Sequence, residues 1–363
     1  MSEKPSSVHY INYLSLDKVL DAQNLVSKEK GKEAHEEMLF IIIHQTYELW
    51  FKQILHELDS AMVLFKDDKI DESNIGVIVG RMDRVNKIMT TLVGQLDILE
   101  TMTSLDFLEF RDYLSPASGF QSHQFRKLEV MLGLKIEKRH QFGGCPYHSQ
   151  FEGEKKEEIL DLEENESLFS LVEKWLERIP FLSMERFDFT KKYEEAVNEM
   201  LEKEIKGINA AKLTDEDKAL RIRMIDENRK YFARVLSDKE HNKAILSGET
   251  KLSYKATMSA LLINLYRDEP ILHLPYQFLR SLVELDHKIA TWRFRHVQMV
   301  EKMLGLKIGT GGSSGQGYLK QTVDKHKLFT DLANIATLMI SRSYLPDLPK
   351  NIKDKLSFNY NTK

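Results

Sequence analysis

At 363 residues the chain is long enough to bury a large core without disulfides or a structural metal. With 42% hydrophobic and 30% charged residues but only 17 Gly and 8 Pro, it reads as a globular chain of long, uninterrupted helices. A net charge of −4 and a single cysteine, Cys145, argue against a basic nucleic-acid-binding surface, a disulfide framework and a cysteine-rich zinc site.

The N-terminus is polar, with no apolar signal core, and no stretch approaches the roughly 20 apolar residues of a membrane span. A reducing cytoplasm is the expected location. Tyr10, Tyr13 and Leu14 fall at i, i+3 and i+4, so a short helix there would carry one apolar stripe. Such a helix is marginal in water and must dock on something. Residues 34–65 predict a long central helix, apolar on most faces around Phe40–Ile43, Tyr47, Trp50, Phe51 and Ile54. Residues 74–98 predict a second. A further helical pair is expected over 104–114 and 120–133, broken at Ser115-Pro116-Ala117-Ser118-Gly119. The stretch 134–166 holds Gly143-Gly144-Cys145-Pro146 and an acidic run, and reads as an irregular surface insertion. Residues 190–247 read as charge-laced helix, with Thr214 and Asp217 spaced as a capping box. Buried helix returns at 252–266 and 274–305. After the Gly-rich run Gly309–Gly315, a last helix is expected at about 317–340. Strand signals are weak. The predicted fold is all-α, one large helical domain over 1–363, with residues 1–16 as an arm.

Four features could carry chemistry. His44 sits among large apolar residues, and Phe40, His44, Tyr47 and Phe51 share one helical face. A core histidine bonded to a neighbour explains that equally well, because a buried imidazole needs a partner. His296 shares a face with Trp292, Met299, Val300 and Met303, surroundings that suit either a proximal haem ligand or a packed core histidine. Arg111 lies four residues after Phe107. Its guanidinium suits a planar carboxylate, or a surface pair with Glu109 or Asp112. The run Gly309–Gly315 offers backbone N–H groups and the Thr310 hydroxyl to a polar ligand, or is a plain loop; it lacks the Gly-Lys-Ser/Thr ending of a P-loop. A single Glu-x-x-His, Glu284 to His287, falls short of a di-iron carboxylate set.

The segments His9-Tyr10-Ile11-Asn12-Tyr13-Leu14-Ser15-Leu16-Asp17, Phe40-Ile41-Ile42-Ile43-His44-Gln45-Thr46-Tyr47-Glu48-Leu49-Trp50-Phe51-Lys52-Gln53, Phe110-Arg111-Asp112-Tyr113-Leu114-Ser115-Pro116-Ala117-Ser118-Gly119-Phe120-Gln121-Ser122, Arg295-His296 and Gly309–Gly315 together resemble the tryptophan 2,3-dioxygenase family. The resemblance covers nearly the whole chain in order. It implies a haem enzyme that inserts O2 across the indole C2–C3 bond of L-tryptophan to give N-formyl-L-kynurenine, the first step of tryptophan degradation by the kynurenine pathway. It implies one haem b per subunit, ferrous when active, and a homotetramer built as a dimer of dimers, with no nucleic-acid or membrane partner.

Position by position, His296 matches the proximal iron ligand, and His44 the distal histidine that accepts the indole N–H. Arg111 matches the residue that binds the substrate carboxylate, and Thr310 the hydroxyl at the amino-acid end. Phe40 and Phe107 match walls around the indole; some members carry Tyr where this chain has Phe107, so no phenol contact is expected there. Tyr10, Tyr13 and Leu14 match a segment that completes a neighbouring subunit's pocket. Trp292 matches a residue on the proximal side of the haem, and Ser118 one near its edge. The related indoleamine 2,3-dioxygenase lacks a distal histidine, so His44 places the chain on the tryptophan-selective side. The departures from the family pattern fall in 134–166 and 190–247. Two rival readings are a non-haem metal enzyme built on Glu284 and His287, and a non-catalytic helical interaction protein.

Overall fold

The computed structural model describes residues 8–66, 73–135, 147–184, 187–305, 307 and 326–357. Within them the fold is all-α, apart from one antiparallel pair that joins Ser183–Met184 to Phe187–Asp188. Short helices α1 (Tyr10–Leu14), α2 (Leu16–Leu20) and α3 (Val26–Glu29) lead into two long ones, α4 (Glu36–Lys66) and α5 (Ser73–Leu99). Then come α6 (Ser104–Phe110), α7 (His123–Leu132), α8 (Glu154–Glu164) and α9 (Leu168–Glu177). The charge-laced stretch divides into α10 (Phe189–Ala210), α11 (Asp215–Leu236) and α12 (Asp238–Leu246). Thr214 caps α11 by accepting the Asp217 N–H at 3.1 Å.

The site is built on a frame of α4, α5 and α14 (Pro270–Leu304), with α13 (Tyr254–Leu265) and α9 packed alongside. α4 buries Ile43, Tyr47, Phe51, Ile54, Leu58, Met62 and Phe65, a three-to-four-residue repeat that puts one side of the helix in the core. α5 answers with Ile75, Ile78, Met82, Val85, Met89, Leu92, Leu96 and Leu99, and lies against both α4 and α14. The outer side of α4 is less buried than a fully apolar helix requires: Met38, Ile42, Leu49 and Trp50 are exposed on the single chain.

Three boundaries differ from the sequence reading. The acidic run is not irregular but forms α8. Ile159 is fully buried and Leu162 partly so, three residues apart on the side that meets α7, while Glu154 and Glu157 lie in the first turn, where the helix dipole favours acids. α14 begins at Pro270 rather than 274, since proline at the first helical position is pre-set for the helix. The long last helix expected at 317–340 is not seen among the described residues. There the chain forms the short helix Thr330–Asn334, 3-10 turns and a final helix Lys350–Leu356 that the sequence reading did not anticipate.

Gly133 ends α7 at φ +112°, and a Cβ there would lie 2.8 Å from the Phe169 Cβ and 2.9 Å from the Ser167 Oγ. Glycine is the residue that tolerates both the left-handed backbone and that close approach.

Candidate functional site

His44 projects from the first third of α4, one turn after Phe40. Its Nδ1–H donates to the Phe40 carbonyl at 2.7 Å, which fixes the tautomer and leaves the lone pair on Nε2. Among the described residues nothing is hydrogen-bonded to Nε2. The ring is open to solvent, yet burial lowers its pKa, with the Phe40 carbonyl and Glu48 acting the other way. A ring both reachable and surrounded by protein lines a recess rather than the outer surface. Phe40 stands against it at 4.1 Å between ring centroids, Phe107 lies 5.7 Å from Phe40, and Phe110 closes the group at 5.5 Å from Phe40. The core-histidine alternative accounts for Nδ1 but not for the unengaged Nε2.

α6 delivers Phe107 and Phe110. Thr103 caps it, with Asp106 in a reciprocal box. Arg111 follows directly, partly buried where α6 tightens into the 3-10 turn Arg111–Leu114. The Ser118 hydroxyl accepts the Phe120 N–H at 3.3 Å and caps the turn Gly119–Gln121. Glu48 ties this stretch to α4: it accepts the Ser122 hydroxyl at 2.5 Å and the Gln124 amide at 2.9 Å. Glu48 is one turn beyond His44, and sequence reading gave it no role of its own. Its place directly after Tyr47 on a helix that supplies so many aromatic residues was the available signal.

His296 sits on α14. Trp292, one turn before it, stacks on its ring at 5.6 Å with planes 15° apart. Trp292 also meets Tyr47 at 6.0 Å, Phe51 at 6.2 Å and Phe125 at 5.1 Å, so aromatic contacts join α14 to α4 and α7. Burial, with a smaller contribution from His44, pushes His296 down to about 4. His296 is therefore neutral at physiological pH, as a nitrogen ligand must be.

These features fit haem. Among the described residues no group is hydrogen-bonded to either ring nitrogen of His296. The walls are aromatic, and Tyr47, which meets Trp292, lies on α4 one turn after His44. The rival non-haem site does not assemble. Among the described residues no group of three His, Cys, Asp or Glu could hold a metal, and Glu284 is paired with Lys288 at 2.7 Å.

The structure thus gathers Phe40, His44 and Phe107 in one cluster and Trp292 and His296 in a second, linked by Tyr47 on α4, with Arg111 at the end of α6 and Ser118 in the turn beyond it. Tyr10, Tyr13 and Leu14 stand apart on α1, which buries no residue; Tyr10 and Tyr13 are 70% and 75% exposed. Thr310, the Gly309–Gly315 run and Cys145 lie outside the described residues. Among the described residues no helix is long and apolar enough to cross a membrane.

Sequence comparison agrees with this geometry. A family model described as tryptophan 2,3-dioxygenase matches residues 2–339. A tryptophan 2,3-dioxygenase of Bdellovibrio bacteriovorus is 48% identical over 354 residues, 97% of this chain and 99% of the relative. One from Dictyostelium discoideum is also 48% identical, over 97% of this chain and 88% of its own length. One from Mus musculus is 45% identical, over 93% and 84%.

Proposed function

The chain belongs to the tryptophan 2,3-dioxygenase family, and from that premise we propose that it opens the indole ring of L-tryptophan with O2 to give N-formyl-L-kynurenine. The observation that carries this reading at the residue level is the His44 ring. Its Nδ1 is committed to a backbone carbonyl, its Nε2 has no partner among the described residues, and it stands against Phe40 one turn from Tyr47, which meets Trp292.

Haem b, one per subunit and ferrous when active, would be held by His296 and flanked by Trp292, with Ser118 near its edge. Bound there, it supplies the activation of O2. The protein supplies position and polarity. Phe40 and Phe107 pack the indole faces. His44 accepts the indole N–H at Nε2, which orients the C2–C3 bond and excludes rings that lack that proton. Arg111 takes the substrate carboxylate by paired, charge-assisted hydrogen bonds. Thr310 serves the amino-acid end. Tyr10, Tyr13 and Leu14 complete the pocket of a neighbouring subunit within a dimer-of-dimers tetramer, the arm being residues 1–16 of one helical domain. A cytoplasmic location fits a chain of this kind.

Haem titration tests the ligand. The unmodified apoprotein should take up one haem per chain with a sharp Soret band, while His296→Ala stays helical and takes up little. Full, tight uptake by His296→Ala would remove His296 from its role.

A further inference from the structure

Four charged or titratable side chains outside the substrate recess are almost wholly removed from water: Arg126 and Glu129 on α7, Arg293 on α14 and His326 beyond it. The Glu129 carboxylate is their hub. One oxygen accepts from Arg126 at 2.7 Å and the other from Arg293 at 2.6 Å. Arg293 brings another N–H to the His326 Nδ1, which also lies 3.5 Å from the Glu129 carboxylate. The cluster abuts the wall behind His296. The Arg126 and Arg293 guanidinium groups lie 5.0 and 5.8 Å from the centre of the Phe125 ring. Phe125 is 5.1 Å from Trp292, and Trp292 stacks on His296 at 5.6 Å. Arg293 is itself one turn before His296 on the same helix. Two turns earlier, Asp286 accepts the Leu328 and Phe329 N–H groups at 2.8 and 3.1 Å, so α14 is pinned to the 326–329 segment twice.

We propose that Arg126, Glu129, Arg293 and His326 form the positioning device of the proximal face: they fix α14 where it presents Trp292 and His296, and their charges set the iron's preference between ferrous and ferric. The inference rests on His296 holding haem. Stability alone does not call for such a cluster, since a buried ion network is often no more stabilising than apolar residues of the same shape. Its second consequence is electrostatic. Charges in a poorly screened interior act over longer distances than surface charges. Groups beyond the ligands are an established lever on a haem potential. The sign follows from charge. A carboxylate removed from behind His296 leaves the surroundings more positive and favours the iron state of lower charge, ferrous. A guanidinium removed does the reverse.

The test is the midpoint potential of the haem-loaded full-length protein, with the resonance Raman iron–histidine stretch as a second readout. Glu129→Gln keeps the shape and should raise the potential. Arg126→Met should lower it. Glu57→Gln deletes another buried carboxylate, thirteen residues beyond His44 on α4, about 20 Å along the helix. That control should shift the potential least of the three. Unchanged potentials in the first two variants, or shifts of the same sign in both, would overturn the proposal, since simple loosening has no reason to follow charge. If Glu129→Gln does not fold, His326→Phe decides. It leaves both Arg–Glu129 pairs in place and should still shift the iron–histidine stretch; an unmoved stretch overturns the positioning role. Failure of the unmodified protein to show an iron–histidine stretch would instead remove the haem reading, so the two failures are distinguishable.

Discussion

At the scale of single residues, the proposed roles of Arg111 and His44 put the site's selectivity at the two ends of the substrate. One set of rates tests both, with L-tryptophan, tryptamine and 1-methyltryptophan as substrates. Losing a charge-assisted hydrogen bond costs about 1.5–3 kcal/mol, so Arg111→Ala should lose roughly 10- to 100-fold in kcat/KM for L-tryptophan. It should also lose its preference over tryptamine, which has no carboxylate. His44→Ser keeps an acceptor for the indole N–H, so it should retain haem and some turnover while gaining relative tolerance for 1-methyltryptophan. An Arg111→Ala enzyme that still favours L-tryptophan, or a His44→Ser enzyme that still rejects the methylated ring, would contradict these roles. Both residues stood out in the sequence because their types were unusual where they fell: an imidazole in an apolar helix, and an arginine beside aromatic residues. Arg126, Glu129 and Arg293 did not stand out. A charged pair three residues apart reads identically on a solvated face and in a core, and only the packing of α7 against its neighbours separates the two.

At the scale of elements, three histidines sit where protein displaces water: His44 on α4, His296 on α14 and His326 in the 326–329 segment. Burial holds His44, His296 and His326 below the ordinary histidine value, His296 at about 4. Each is protonated near pH 6.5 once the chain unfolds. Below that pH the unfolded chain binds more protons than the folded one, so the apoprotein loses stability from about pH 6.5 down to about 4, where folded His296 itself protonates. Glu129 adds to this at lower pH. Burial opposes its ionisation, but Arg126 and Arg293 outweigh that and hold it below the usual carboxylate range, so its contribution disappears as pH falls through its folded value. Asp286, raised by burial, acts in the opposite sense. The urea midpoint of the apoprotein should therefore drop between pH 7.5 and 5.5; a flat or rising midpoint would contradict the neutral folded state of these rings. The helices themselves were legible wherever the apolar period was long, as in α4, α5 and α14. α8 was missed because charge dominates its composition and only Ile159 and Leu162 report the buried side. The end of the chain was misjudged because the turns after Asn334 bury Ile335, Leu338 and Ile340 as a helix would.

At the scale of the whole molecule, α1 exposes Tyr10, Tyr13 and Leu14 on a five-residue helix that buries nothing of its own chain. That arrangement supports an arm that completes a neighbour's pocket. Chains carrying Arg111→Ala should be nearly inactive alone, as should chains carrying Tyr10→Ala with Tyr13→Ala. In mixed dimers a swapped arm gathers both defects in one pocket and leaves the other intact, so activity should return toward half of the unmodified level. No recovery on mixing would place the arm on its own chain.

The proposed activity joins both atoms of O2 to the indole ring of L-tryptophan. The most direct measurement is the mass of the product formed by the haem-loaded, reduced protein from L-tryptophan under 18O2. N-formyl-L-kynurenine should carry two labelled oxygens, with one O2 consumed per tryptophan. A product with a single label, or no turnover by fully loaded protein, would contradict it.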